Sequence, residues 1–433
     1  MSPVITAVET SCDLPSATTV VVIGGGIVGL TAALTLAERG IPVVVIEKGR
    51  IAGEQSSRNL GWIRKMGRER KDLPLALAAE TLWQGMAERV GADVGYRQDG
   101  ILYAARTQAE MVGHQRWLES IADFGLDSRL VTPTEMNVLA PGSTGGWAGG
   151  IYTASDGRAE PTLASSAIAR QAIAKGAVVV EQCAVRTLLL IGGRVQGVMT
   201  ERGEVRCDQV ILAAGLWSRR FLGNLGVSLP TLPLVASVLR TAPMEGPTDI
   251  AVGAPDFSFR RNLDGGYIIT QRGAFLAPIV PDSIRLGHRY LSMLRAQWKH
   301  VRIRMGRDFV REMSLARRWT ATATSPFEQM RTMNPPVDQG LNEEALRNLT
   351  KAWPMFENAR IDLAWAGMID VTPDSLPVIS PVEELDGLTL ATGFSGHGFG
   401  TSPAAAQLAV DIALGDTPIV DPAPYRLKRL SRP

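Results

Sequence analysis

Hydrophobic and polar positions follow two periods along this chain. From Val20 to Glu47 an uncharged β-branched run, a helical pattern and a second apolar run predict strand, helix, strand. Helical periodicity returns around Leu75–Val90, Thr162–Lys175 and Pro403–Leu414. Apolar runs at Ala177–Val180, Val185–Ile191, Gln209–Ala214 and Leu388–Thr392 predict strands. Gly192-Gly193 joins the halves of a hairpin over Val185–Val198, and Asp264-Gly265 turns a second one over Phe257–Gly273. Strands and helices alternate at both ends, with a hairpin-rich middle. The pattern predicts an α/β protein with a Rossmann-like nucleotide domain made of discontinuous segments and a second, inserted domain.

Three glycines in G-x-G-x-x-G spacing separate the first strand from its helix. Gly24 permits the tight turn, Gly26 lets a pyrophosphate approach the backbone, and Gly29 lets helix and sheet pack closely. The helix starting near Ile27 points free N–H groups at the phosphates. Glu47 ends the second strand, where its carboxylate can accept from both ribose hydroxyls. These residues predict a bound dinucleotide. The uncharged stretch Val20–Ala37 reaches the lower length limit for a membrane span, but its glycines and β-branched residues favour a buried strand and turn. Met1–Thr19 has no Lys or Arg, so it is expected to be a loose extension rather than a secretory signal.

Composition narrows the classes further. The 433 residues, 45% apolar and 20% charged, suit a two-domain globular protein, and a net charge of +2 gives no reason to expect nucleic acid. Cys12, Cys183 and Cys207 lack metal-ligand or C-x-x-C spacing, so no metal and a reducing, cytoplasmic setting are expected.

Four further segments carry a family likeness. They are GEQSSRNLGWIRK (Gly53–Lys65), VILAAGLWS (Val210–Ser218), WAGMIDVTPDSLPVIS (Trp365–Ser380) and ATGFSGHGFGTSPAAAQLAVDIALG (Ala391–Gly415). With the glycine-rich first unit, they make the chain resemble the FAD-dependent amino-acid and amine oxidoreductases of the D-amino-acid oxidase type, over roughly Thr19–Gly415. The resemblance implies a Rossmann-like FAD-binding domain over 19–70, 150–228 and 362–420. It implies an inserted α+β substrate domain on an antiparallel sheet over 71–149 and 229–361, with 1–18 as the extension. It implies non-covalent FAD, since Trp365–Ser380 holds no cysteine.

Carried over residue by residue, Ser56, Ser57, Arg58 and Asn59 offer donors to the FAD phosphates after Glu47 and Lys48. Gly61, beside Trp62, permits close approach. Ala184 and Val185 match the adenine contacts, and Ala214, Gly215 and Trp217 lie where the chain crosses the FAD. Gly367 belongs to the element covering one flavin face. Gly396, His397, Gly398, Phe399, Gly400 and Thr401 match the loop and helix start at the pyrimidine edge, where N–H groups can stabilise the reduced ring.

Two departures stand out. Ile369 and Asp370 replace the Arg and Pro common in this family, and Gly400 replaces a substrate-binding Lys of sarcosine oxidases. The substrate carboxylate then needs another cation. Arg260, Arg261 and Arg272 of the second hairpin are candidates, and so are Arg64 and Arg68. Arg260 and Arg261 cannot both reach one pocket, because neighbours in a strand face opposite ways.

The function implied is oxidation of the C–N bond of a small anionic amino acid or N-substituted glycine, such as sarcosine, iminodiacetate or a D-amino acid. A hydride moves to flavin N5, and the imine hydrolyses to an oxo acid. Oxygen or a membrane or protein acceptor takes the electrons. Two alternatives stay open: 2-hydroxy-acid oxidation with His397 or His288 as base, and a flavin-binding subunit of a larger oxidase complex. Finally, Arg285–Arg318 carries a net charge of +8 with Met293, Leu294 and Trp298 interleaved. That composition suits an amphipathic basic helix pair, read as a solvated face, a field for anionic substrates, an acidic-partner surface or a peripheral membrane contact.

Overall fold

In the computed structural model, which describes residues 2–297 and 301–430, the first apolar run becomes β1 (Val20–Ile23), followed by α1 (Ile27–Glu38) and β2 (Val43–Ile46). β1 pairs in parallel with β2 on one side and with Gln209–Leu212 on the other. Val178–Val180 extends the sheet past β2, Leu388–Thr392 extends it past Gln209–Leu212, and Val378–Pro381 closes that edge antiparallel. α1 is apolar almost all round because it is covered almost all round, by the sheet and by the helices Pro161–Ala174 and Gly398–Leu414.

The second sheet has ten strands. It takes Ile101–Ala105, Ser128–Val131 and Gly149–Thr153 from one part of the chain and most of Leu232–Arg304 from another. Its long central strand Leu232–Thr241 pairs antiparallel with Ile361–Val371, from Leu232 opposite Val371 to Thr241 opposite Ile361. Two expectations need correction here. The sheet is mixed, since Ala251–Gly253 runs parallel to Ile101–Tyr103, and Phe275–Pro278 parallel to Val301–Arg304. Positions 150 and 362 lie inside strands of this sheet, Gly149–Thr153 and Ile361–Val371. The N-terminal segment is not loose: Ser11 N–H donates to Val179 O, Thr18 N–H to Arg206 O, and Ile5 and Val8 pack on the core.

Both hairpins form as the pattern predicts, Val185–Ile191 with Arg194–Thr200, and Ser258–Arg261 with Tyr267–Thr270. The helix expected near Pro403 begins at Gly398. Pro403 has no N–H for the Phe399 carbonyl one turn back, and the Ser402 hydroxyl donates to that carbonyl instead at 2.8 Å. The basic stretch is not a helix pair, because the strand Val301–Arg304 separates Leu291–Gln297 from Arg307–Ser314. Trp298 lies outside the described residues.

Candidate active site

A cleft partly open to solvent runs across the ends of β1 and β2. Gly24, Gly26, Glu47, Lys48, Ser56, Asn59, Val185, Ala214, Gly215, Trp217, Gly396, Gly398 and Phe399 line it, all of them expected there. At the turn after β1, Gly24 has φ +110°, and a Cβ added to it would lie 2.6 Å from Ala213 O. A Cβ on Gly29 would lie 2.1 Å from Gly24 O, so this glycine closes the helix onto the turn rather than lining the cleft. α1 has no acidic side chain in its first turn, and Ile27 N–H donates to Ser56 Oγ at 2.9 Å.

Glu47 receives Gly25 N–H on one oxygen at 2.8 Å and Gly49 N–H on the other at 2.7 Å. Each oxygen keeps acceptor capacity facing the cleft. Burial pushes this carboxyl above the usual range, offset in part by Lys48 and the two N–H groups. Lys48 stands over the Trp217 ring at 4.4 Å and pairs with Glu54 at 3.0 Å. Glu54 also accepts from Trp217 Nε1 at 3.1 Å and Met333 N–H at 2.9 Å. These contacts hold a distant segment over the cleft, and Phe327, Arg331 and Thr332 line it from there. Those three carry no periodic signal in the sequence; only the fold brings them in. Gln55, inside a motif already recognised, was also missed, and its buried Oε1 has no hydrogen-bond partner among the described residues.

The remaining expected cofactor residues act behind the wall. Ser57 donates to Glu54 O, and Arg58 is buried, donating to the carbonyls of Met333 and Gly53 and to Asn334. Ala184 is buried, with its N–H on Glu201. A Cβ on Gly61 would meet Ala159 O at 2.2 Å, and one on Gly367 would meet Gln55 Oε1 at 2.3 Å. Thr401 donates to His397 O, one turn back. Gly400 explains the missing family lysine: its Cβ would lie 2.7 Å from Trp62 O, so β-carbon-bearing residues are excluded by the backbone beside it.

The candidate cations separate clearly. Arg260 is corrected: it is 1% exposed and bound by a two-pronged pair to Glu160 at 2.7 and 2.8 Å. Arg261 is corrected too, since it points outward to Asp249 at 2.9 Å. Arg68 is buried against Asp72 at 2.6 Å. Arg272 and Arg64 differ. Arg272 lies 3.6 Å from the Tyr103 ring centroid and Arg64 5.9 Å from it, and neither is ion-paired with an acid among the described residues, although the Arg64 charge is felt by Asp156. Burial holds the Arg272 guanidinium below its usual range, Tyr103 opposes this, and the Arg64 charge adds to it. Arg64 Nη2 lies 3.2 Å from His397 Nε2, on the loop between cleft-lining Gly396 and Gly398.

His397 is held well below the ordinary histidine range by burial, then by Arg68 and Arg64. It is therefore neutral, a hydrogen-bond partner for Arg64. His288 is exposed and lines no part of the cleft. The residues present fit FAD, with a carboxylate acceptor at one end, a glycine turn and helix N-terminus in the middle, and an apolar end formed by Met368, Ile369, Phe394 and Phe399.

Comparisons with known proteins agree with this geometry. A family profile described as FAD dependent oxidoreductase matches residues 19–412. Glycine oxidase of Pseudomonas aeruginosa is 26% identical, over 94% of this chain and 97% of its own length. The solved structure of L-amino acid deaminase from Proteus myxofaciens in complex with anthranilate superposes with a TM-score of 0.95 at 32% identity, covering 100% of this chain and 97% of that one. L-amino acid deaminase from Proteus vulgaris gives 0.93 at 32% identity, covering 98% and 99%.

Proposed function

This chain belongs to the FAD dependent oxidoreductase family, and from that premise we propose that it oxidises the C–N bond of a small amino acid through the substrate's carboxylate anchor. The observation that carries the reading is the Arg272–Arg64 pair around Tyr103, two cations with no ion-pair partner among the described residues, next to the loop that lines the cofactor cleft. A partly buried cation with no ion-pair partner is costly, and a ligand carboxylate would supply one. Bound FAD supplies the two-electron acceptor. The chain's own residues do the rest. Arg272 and Arg64 would hold the carboxylate in a forked geometry, fixing the α-carbon relative to the ring. His397, neutral and turned to Arg64, would keep that guanidinium in place.

The substrate amine loses two electrons and two protons to become an imine, which water hydrolyses to an oxo acid and an amine. An amine that binds neutral needs no base to start, whereas a 2-hydroxy acid does. His288 lies outside the cleft and His397 is a weakened base, which disfavours the histidine-based alternative. Similarity to glycine oxidase and to a deaminase that binds anthranilate, an aromatic carboxylate, supports an amino-acid substrate. The test is anaerobic flavin bleaching by a panel of amino, imino and hydroxy acids and uncharged amines. Amino or imino acids should bleach fastest; uncharged amines outrunning all of them would reject the carboxylate anchor.

The basic segment supports a second reading, docking to an anionic membrane surface. Ile284, Leu291, Ile303, Met305, Val310 and Met313 are exposed large apolar side chains, interleaved with Arg285, Arg295, Arg302 and Arg307. A solvated charged face needs none of those apolar groups; an interfacial one uses both. No helix among the described residues is long and apolar enough to cross a membrane.

A further inference from the structure

Asp370 stands where the family element commonly has Pro, on the strand Ile361–Val371, and lines the cleft. Its carboxyl is buried, and among the described residues it makes no ion pair with a cation. It accepts Gly393 N–H at 2.7 Å and the Thr392 hydroxyl at 3.4 Å, and its main-chain carbonyl accepts Ser395 N–H at 2.9 Å. The loop so held is conformationally demanding, with φ of +70° at Gly393, +85° at Gly396 and +52° at Ser395, a non-glycine residue. Burial pushes the carboxyl up to about 6, against the lowering effect of those hydrogen bonds.

Two other titratable groups face this region. Tyr290 comes from the turn Gly287–Tyr290 and donates to Pro230 O and Val371 O; burial pushes it up, so it stays neutral. Behind it lie Arg219 and Asp374, of opposite sign. On the loop itself His397 is kept neutral by burial and by Arg68 and Arg64. Asp370 is thus the group free to change charge. It lines the cleft together with Met368, Ile369, Gly396 and Phe399, the apolar part that would take the ring on the FAD reading.

We propose that Asp370 is a positioning residue that also holds a proton: its carboxylate fixes the loop Gly393–Gly398, and it is protonated when the ring beside it is reduced. This rests on the FAD reading above. The step balances. Amine oxidation releases two electrons and two protons; the electron pair and one proton pass to the cofactor, and the second proton passes to Asp370. The site's total charge is then the same before and after. An ionised carboxylate left beside newly formed negative charge in a buried cleft would oppose reduction.

The experiment uses purified holoenzyme whose flavin absorbance is confirmed first; a chain without flavin would defeat the FAD reading rather than this one. The midpoint potential is measured by dye equilibration from pH 5 to 9 for the wild type and Asp370→Asn. Above about pH 6 the wild type should take up one extra proton per electron pair. That is a tenfold change in the reduction equilibrium per pH unit, about 30 mV for a two-electron couple. The variant, still yellow, should lack this added slope. Equal slopes across the range in two flavin-loaded proteins would overturn the proposal. Should the variant lose FAD, the reduced-minus-oxidised infrared difference spectrum of the wild type decides. A gained protonated-carboxyl band supports the proposal, and its absence rejects it.

Discussion

Arg260 and Arg261 are adjacent in the chain and have opposite environments, the first sealed against Glu160 and the second in solvent with Asp249. Their alanine variants should fail differently from that of Arg272. Arg260→Ala leaves Glu160 buried with its main partner gone and should cost about 3–5 kcal/mol of stability, read as a lower urea midpoint. Arg261→Ala should change stability and activity little, as exposed pairs contribute ~0–1 kcal/mol. Arg272→Ala should keep its FAD but lose at least about thirtyfold in kcat/KM on amino acids, from roughly 2–5 kcal/mol of lost charged contact. Full activity in that variant would remove the carboxylate anchor. Glu47→Ala should weaken FAD retention by about 2–3 kcal/mol, measured by flavin released on dilution. Because burial raises the Glu47 pKa, retention should fall with acid earlier than for an ordinary glutamate. Acid precipitation should release all the flavin as FAD if the link is non-covalent, as the absence of a cysteine in Trp365–Ser380 leads one to expect.

At the scale of elements, close approach matters more than propensity. The helix Gly398–Leu414 begins against the strand Trp62–Ile63, with Trp83 Nε1 donating to Gly400 O at 2.9 Å. Gly400→Ala should therefore cost about 1–3 kcal/mol by overpacking, seen as a lower Tm, and a lysine grafted there should not restore a carboxylate site. A second element is held by Asp156, whose carboxylate accepts Lys65 N–H at 2.7 Å and Met66 N–H at 3.2 Å and so fixes the loop carrying Arg64. Burial raises this carboxyl to about 6, with Lys65 opposing. A raised carboxyl pKa makes the folded state bind more protons. Its contribution is full below about pH 4 and is lost as pH rises to about 6. Relative to Asp156→Asn, wild-type stability should decline across that window by an amount on the order of 3 kcal/mol. A flat difference would show that the group titrates normally.

For the whole molecule, the cofactor cleft and the Arg272–Arg64 pair are tied together through the loop that carries His397, which lies between cleft-lining Gly396 and Gly398 and meets Arg64. The basic segment packs its Tyr290, Met293 and Leu294 against Ile369 and Val371, and several of its arginines face acids from outside it: Arg302 with Glu344, Arg285 with Asp282, and Arg304 with Asp338. Its effective field is thus smaller than the sequence charge suggests. Cosedimentation with anionic vesicles should exceed that with neutral vesicles and fall with salt as the Debye length shortens. Ile303→Asp with Met305→Asp should abolish it while leaving flavin bleaching intact. Equal binding to both vesicle types would reject an electrostatic membrane surface.

The sequence by itself determined what depends on local pattern: β1, α1 and β2, both glycine-turned hairpins, and the cradle of Gly24, Gly26 and Glu47. Each follows from residues within one unit, where periodicity and glycine geometry leave few choices. It could not determine partners separated by long stretches of chain. Ion pairing chose between Arg260, Arg261 and Arg272, because Glu160, Asp249 and Tyr103 arrive from elsewhere. Only the tertiary structure laid Phe327 and Arg331 over the cleft and placed Trp62 against Gly400. It also left Asp370 buried beside the loop it holds. Burial and long-range pairing set the charge and reach of a side chain, and neither is a property of its neighbours in sequence.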